Sequence, residues 1–290
     1  MTHATTTRDT RPARPDFADP SEGFRSATEL TAKALVVIPT YNECENLPHL
    51  IPTLLRKGPS LEVLVVDDNS PDGTGELAEG LAQKTGRVRV LHREGKLGLG
   101  TAYVAGFKYA LDNDYDYIIQ MDADFSHRPE DLPRLLQAAT SADVVIGSRN
   151  VAGGHVENWS LLRKFVSKGG SFYARTLLNL QIIDCTAGFK CFRREVLESV
   201  DFESVESNGY AFQVEMSYLC RRAGFRIVEV PVIFPDRAAG TSKMSMPIFL
   251  EAAGLVWKLR ARQVLLPRSR SSQPISQPVS GSEQADVVAS

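Results

Sequence analysis

The stretch MDADFSH places Asp122 and Asp124 on either side of one alanine, directly after the apolar run YDYIIQ. Residues i and i+2 of an extended segment point to the same side, so the two carboxylates can face a common point. Acids aimed at one spot repel unless a cation lies between them. A hard divalent ion, magnesium or manganese, takes one or two protein carboxylates and completes its shell with water and phosphate oxygens. The plainer alternative is that Asp122 caps a strand and Asp124 opens a turn before Pro129. The location of the pair after a fourth apolar run favours the metal.

Other apolar runs end in chemistry too. ALVVI runs into Pro39, Thr40, Tyr41, Asn42 and Glu43, LEVLVV into DDNSPDGT, and ADVVIG into Ser148 and Arg149. Asp72 or Thr74 reads as a helix cap. That leaves Asp67 and Asp68, one of which is placed to accept hydrogen bonds from a nucleoside base or ribose. In KLGLGTAY, Gly98 and Gly100 follow the third run and no G-x-x-x-x-G-K-[ST] is present, so tight packing is favoured over a phosphate cradle.

The elements that must position these residues alternate. Apolar β-type runs (ALVVIP, LEVLVVD, VRVLHR, YDYIIQMD, ADVVIGSR) are separated by helical patterns, and continuous Val, Leu and Ile runs indicate strands buried on both faces of a parallel sheet. After Arg149 come a long helical piece (LLRKFVSKGGSFYARTLLNL), a short strand in GFKCFR, a helix around FQVEMSYLCRRAG and one strand, FRIVEVPVIF. Residues 1–32 and 267–290 lack a sustained period and read as disordered, flanking one catalytic domain over 33–266 that ends in an amphipathic helix. A formal net charge of -2 excludes a general nucleic-acid binder. Four cysteines without a C-x-x-C pair indicate buried thiols, neither a zinc site nor a disulfide framework.

Taken together, PTYNE, VVDDNSPDGT, MDADFSH, GSR, TAGFK and FPDRAAGTSKM resemble the family-two glycosyltransferases of the GT-A fold, and within them the dolichol-phosphate (polyprenol-phosphate) mannose synthases, over residues 34–263. The resemblance implies an α/β, Rossmann-like, mostly parallel sheet flanked by helices. It also implies metal-dependent, inverting transfer of mannose from GDP-mannose to polyprenyl phosphate. Donor-binding positions would be Pro39, Tyr41, Glu43, Val66, Asp68, Asp122, Ala123, Asp124, Arg149, Lys190, Arg237 and Lys243, and metal positions Asp122, Asp124 and Ser126. Ser126 departs from some relatives, which carry a longer glutamine there. Asp124, Arg237 and Lys243 would serve the chemistry, and Arg149 would also approach the acceptor phosphate.

The chemistry itself is consistent. A phosphate monoester with a second pKa of about 6 is already an anionic nucleophile at neutral pH, so no strong general base is required. Cations are needed to bring two anions together, and Arg237 and Lys243 suit a loop that closes over both. Two segments suit a membrane surface: residues 246–266 and residues 159–180, whose basic Arg163, Lys164, Lys168 and Arg175 could receive a lipid phosphate. With no apolar run long enough to span a bilayer, the expected location is cytoplasmic, peripheral at the cytoplasmic face of the membrane, and the resemblance implies a membrane-protein subunit as a partner. Two alternatives stay open: a UDP-sugar-dependent glucosyl or N-acetylglucosaminyl transferase, and a non-catalytic nucleotide-sugar-binding subunit of a membrane enzyme.

Overall fold

The computed structural model describes residues 32–205, 207–235 and 253–261. The segments expected to be disordered, Ala32 excepted, lie outside the described residues, as do Arg237, Lys243 and most of the C-terminal amphipathic segment.

Among the described residues, and apart from a helix at 253–261, nine strands and seven helices follow the alternation in the sequence. They are β1 (Ala34–Thr40), α1 (Leu47–Leu55), β2 (Leu61–Asp67), α2 (Thr74–Thr85), β3 (Val88–His92), α3 (Leu99–Asp112), β4 (Tyr117–Gln120), α4 (Leu132–Ala139), β5 (Val144–Ser148), β6 (His155–Val156), α5 (Leu161–Leu178), β7 (Lys190–Arg193), α6 (Arg194–Ser199), α7 (Gly209–Ala223), β8 (Ile227–Pro231) and β9 (Ile233–Phe234). The main sheet has the order β3-β2-β1-β4-β7-β5-β8. All its pairings are parallel except those of β7, which runs antiparallel between β4 and β5.

Continuous apolar runs form these strands because both faces are covered. Leu35 and Val37 of β1 join one core with Tyr103, Phe107, Leu178 and Phe212 from α3, α5 and α7. Val36 and Ile38 join a second core with Leu50, Ile51, Leu132 and Leu135 from α1 and α4. Each fully buried Leu, Ile or Val contributes about 1.5–3 kcal/mol, so this two-sided burial sets strand register as well as stability.

One expectation is corrected. FRIVEVPVIF forms two strands in two sheets: β8 pairs with β5 up to Ser148↔Pro231, and β9 then pairs with β6 in a separate two-stranded sheet. The cause is that β5 ends at Ser148, so the continuing chain finds a new neighbour in His155–Val156. Gly98 and Gly100 behave as packing residues. Gly98 holds φ +102, which L side chains rarely adopt, and a Cβ on Gly100 would run into the Ser207 carbonyl.

Candidate functional site at the carboxyl ends of the strands

Strand order reverses between β1 and β4, and in open α/β sheets ligands bind in the crevice beyond that switch point. The segments after β1, β2 and β4 therefore meet there, with the end of β5 two strands from β4. At about 4.8 Å per strand this is a separation of roughly 10 Å.

Beyond β1 and β2 the acids are fastened to the protein itself. Asp67 accepts hydrogen bonds from the Thr40 hydroxyl (2.9 Å), the Ser70 hydroxyl (2.6 Å) and the Ser70 amide (3.0 Å). Asp68 is paired with Arg93 at 2.7 Å and accepts from the amides of Leu97 and Gly98. Asp72 reaches the amides of Cys44 and Thr74. Burial works to raise its pKa, but the hydrogen bonds from Thr74 and Cys44 prevail and hold it at about 2. Tyr41 and Glu43 stand on the same rim, with Lys96 Nζ 3.7 Å above the Tyr41 ring and the Glu43 amide donating to Thr74 Oγ1. Pro39, one residue before the end of β1, is half-buried, whereas Val66 is fully buried.

The acidic pair is held from below and behind. Asp122 Oδ1 accepts from the Tyr103 hydroxyl at 3.0 Å, and the Asp122 amide donates to His127 Nδ1 at 3.0 Å. Burial and the nearby Asp122 charge push the Tyr103 phenol well up, so it stays a donor. His127 is itself fixed between Phe189, stacked at 5.1 Å, and Phe234, edge-on at 5.5 Å. Phe125 adopts φ +59, a costly conformation for a bulky side chain, in the turn where the Ser126 amide donates to Asp124 Oδ1. Ala123 is buried. The buried Ser126 hydroxyl has no hydrogen-bond partner among the described residues. Among those residues, no group of three or more His, Cys, Asp and Glu could hold a metal. Asp122, Asp124 and the Ser126 hydroxyl are hard oxygen donors of the kind that could hold a divalent cation.

Cations gather beyond β5. Arg149, Trp159, Lys164, Ser167 and Lys168 line a cleft of about 180 Å³. Arg149 and Arg163 both lie over the Trp159 ring, at 5.2 and 3.8 Å. Arg149, Arg163 and Lys168, expected at an acceptor phosphate, are thus brought together, with Lys164 from the same basic helix beside them. Lys190 is not. Its side chain is fully buried on the α7 side of β7, where Nζ donates to the Gln213 carbonyl (2.7 Å) and the Ser217 hydroxyl (3.0 Å). Burial lowers its pKa to about 8.

Around the cleft, α5 carries Arg163, Lys164, Lys168 and Arg175 and no acid. Phe165 and Phe172, seven residues apart on α5, are 77% and 61% exposed, as is Trp257 at 60% on the 253–261 helix. The Tyr173 hydroxyl donates to the Ala253 carbonyl and joins that helix to α5. No helix among the described residues is long and apolar enough to cross a membrane.

Residues 35–201 match the glycosyl transferase family 2 model. An undecaprenyl-phosphate mannosyltransferase of Micrococcus luteus is 50% identical over 232 residues, 79% of this chain and 96% of that protein. A polyprenol monophosphomannose synthase of Mycolicibacterium smegmatis is 48% identical over 236 residues, 80% of this chain and 89% of the relative. Among solved structures, glucosyl-3-phosphoglycerate synthase from Mycobacterium tuberculosis (TM-score 0.59, 18% identity, 81% of each chain) shares the fold. So does mannosyl-3-phosphoglycerate synthase from Rubrobacter xylanophilus (TM-score 0.58, 18% identity, 86% of this chain and 80% of that one).

Proposed function

The chain belongs to glycosyl transferase family 2, and from that membership we propose that it transfers mannose from GDP-mannose to a polyprenyl phosphate, with inversion, to give a polyprenyl phosphate β-mannose. The observation that carries this reading is the pairing of an acidic strand end at Asp122 and Asp124 with a cationic cleft at Arg149, Lys164 and Lys168, two strands apart on one sheet edge. The Micrococcus luteus undecaprenyl-phosphate mannosyltransferase and the Mycolicibacterium smegmatis polyprenol monophosphomannose synthase support the sugar and the lipid class.

Each half has a task. Tyr41, Glu43 and the loop pinned by Asp68 border the space for the nucleoside. Asp122 and Asp124, with the Ser126 hydroxyl, would hold a magnesium or manganese ion, and such an ion supplies charge compensation on the departing diphosphate. Tyr103 and His127 keep the Asp122 backbone and carboxylate in place. The cleft beyond β5 orients the acceptor phosphate through charge-assisted hydrogen bonds; that phosphate is already anionic, so no side chain has to take a proton from it. Arg237 and Lys243 are proposed to close on the phosphates. Helix α5, with exposed Phe165 and Phe172 and four cations along its length, suits the anionic surface of a membrane, at its cytoplasmic side, where the lipid acceptor resides. A membrane-protein subunit would dock alongside.

The test is transfer of labelled sugar from GDP-mannose, GDP-glucose, UDP-glucose and UDP-N-acetylglucosamine to a short polyprenyl phosphate, with metal and with chelator. Metal-dependent product from GDP-mannose alone is expected. Product from a UDP-sugar would replace the donor, and nucleotide binding without product from any donor, even with membranes added, would favour a recruiting subunit.

A further inference from the structure

Arg149 does not meet the cleft as a loose surface cation. Its side chain is almost fully buried beside Asp184, which has no exposed surface. Nε lies 3.0 Å from Asp184 Oδ2, Nη2 donates to Asp184 Oδ1 at 3.3 Å and to Thr186 Oγ1 at 2.8 Å, and the Arg149 amide also donates to Asp184 Oδ2. Asp184 is fastened in turn. Glu229 of β8 accepts the amides of Ile183 (2.7 Å) and Asp184 (2.9 Å), one on each carboxylate oxygen. Thr186 is tied to Ser171 of α5 at 3.4 Å.

The guanidinium is a planar fork, so holding Nη2 by hydrogen bonds to Asp184 and Thr186, with Nε against Asp184 in an ion-pair contact not aligned as a hydrogen bond, fixes the direction of Nη1 on the other side. We propose that Asp184 is a positioning residue for the glycosyl transfer: it aims the Nη1 edge of Arg149 at the acceptor phosphate, and Glu229 fixes Asp184 by clamping two successive backbone amides. A buried ion pair is poor evidence of stability, because desolvation offsets most of its attraction. Its geometry is what a rigid phosphate-binding edge requires. Two acids behind one cation also lower the net charge there. The fork is therefore held in direction rather than made more positive, and Lys164 and Lys168 at the mouth supply attraction.

The proposal rests on the reading of Arg149 as a phosphate contact, and the test separates the two. Asp184→Asn, Glu229→Gln, Arg149→Gln and the Asp184→Asn/Arg149→Gln pair are assayed for kcat and KM toward polyprenyl phosphate at saturating donor, with folding followed by circular dichroism. The Arg149 side-chain nitrogen resonance is recorded for the wild type and Asp184→Asn. Asp184→Asn is expected to lower kcat/KM about 10- to 100-fold, to broaden or shift that resonance, and to cost nothing further once Arg149 is already Gln. Glu229→Gln, which leaves the ion pair intact, is expected to fall between Asp184→Asn and wild type, and it decides the same comparison if Asp184→Asn does not fold. Wild-type turnover in Asp184→Asn, or a loss that persists undiminished in the Arg149→Gln background, overturns the positioning role. Wild-type turnover in Arg149→Gln overturns instead the phosphate contact on which the proposal rests.

Discussion

Replacing Lys190 by methionine separates a buried structural cation from a substrate-binding one. The ammonium has no exposed surface and donates to Gln213 O and Ser217 Oγ. Burial takes its pKa from 10.5 to about 8, which at about 1.36 kcal/mol for each pKa unit corresponds to roughly 3 kcal/mol against the charged form at pH 7. Methionine fills a similar volume, and the Ser217 hydroxyl keeps its own bond to Gln213 O at 2.8 Å, so the exchange orphans no acceptor. Subtracting about 1 kcal/mol for the hydrogen bonding that an uncharged amine would retain, Lys190→Met should stabilise the fold by about 2 kcal/mol at pH 7. The sign of the pH dependence follows. Between about pH 8 and 10.5 the unfolded chain holds a proton that the folded chain has released, so wild-type stability gains from this group as pH rises, and the advantage of methionine shrinks over that window. Urea unfolding of both proteins from pH 7 to 10 measures the difference, in which other titrating groups largely cancel. Sugar transfer should be retained. A variant of unchanged stability that has lost transfer would refute the argument and return Lys190 to the phosphates.

Further outcomes are expected elsewhere. Asp124→Ala should abolish transfer and weaken binding of manganese in the presence of GDP, followed by calorimetry, with the thermal transition unchanged; wild-type turnover would remove the metal assignment. Exchange of Phe165 and Phe172 for serine should release the protein from vesicles containing anionic lipid, in a sedimentation assay, without lowering stability, since both side chains are largely exposed. Equal sedimentation would exclude α5 as the contact. Gly100→Ala should destabilise by about 1–3 kcal/mol, because the new methyl meets the Ser207 backbone carbonyl, which no rotamer change can clear; an unchanged denaturation midpoint would show that the backbone yields.

Much of the fold was legible because continuous Val, Leu and Ile runs have only one use in a chain that also carries helical periodicities. The two-residue strands β6 and β9 were not, since two residues have no period and their pairing depends on where β5 stops. The acids after β2 and β4 announced themselves by following apolar runs. Lys190 misled for a non-local reason. Residues 189 and 190 of the TAGFK segment pack on opposite faces of the sheet, Phe189 in the second core and Lys190 toward α7, and nothing near Lys190 in sequence says which face meets the ligand. Asp184 carried a signal that went unused: it is the only acid in the stretch LNLQIIDCTAGF, and a lone carboxylate among apolar residues is buried only with a partner. Arg93 and Tyr103, which hold Asp68 and Asp122, are distant in sequence from the groups they serve.

Phe234 touches both halves of the site. Its ring meets His127 behind the acidic pair and Trp159 on the cationic side, and the Arg149 guanidinium lies 5.1 Å from its centre. Unlike charges on one sheet edge would, if allowed to meet, neutralise each other and leave nothing to act on a ligand. An aromatic spacer without charge or hydrogen-bonding groups prevents that short circuit. The two poles keep their separation, and the electric field between them is set by the fold.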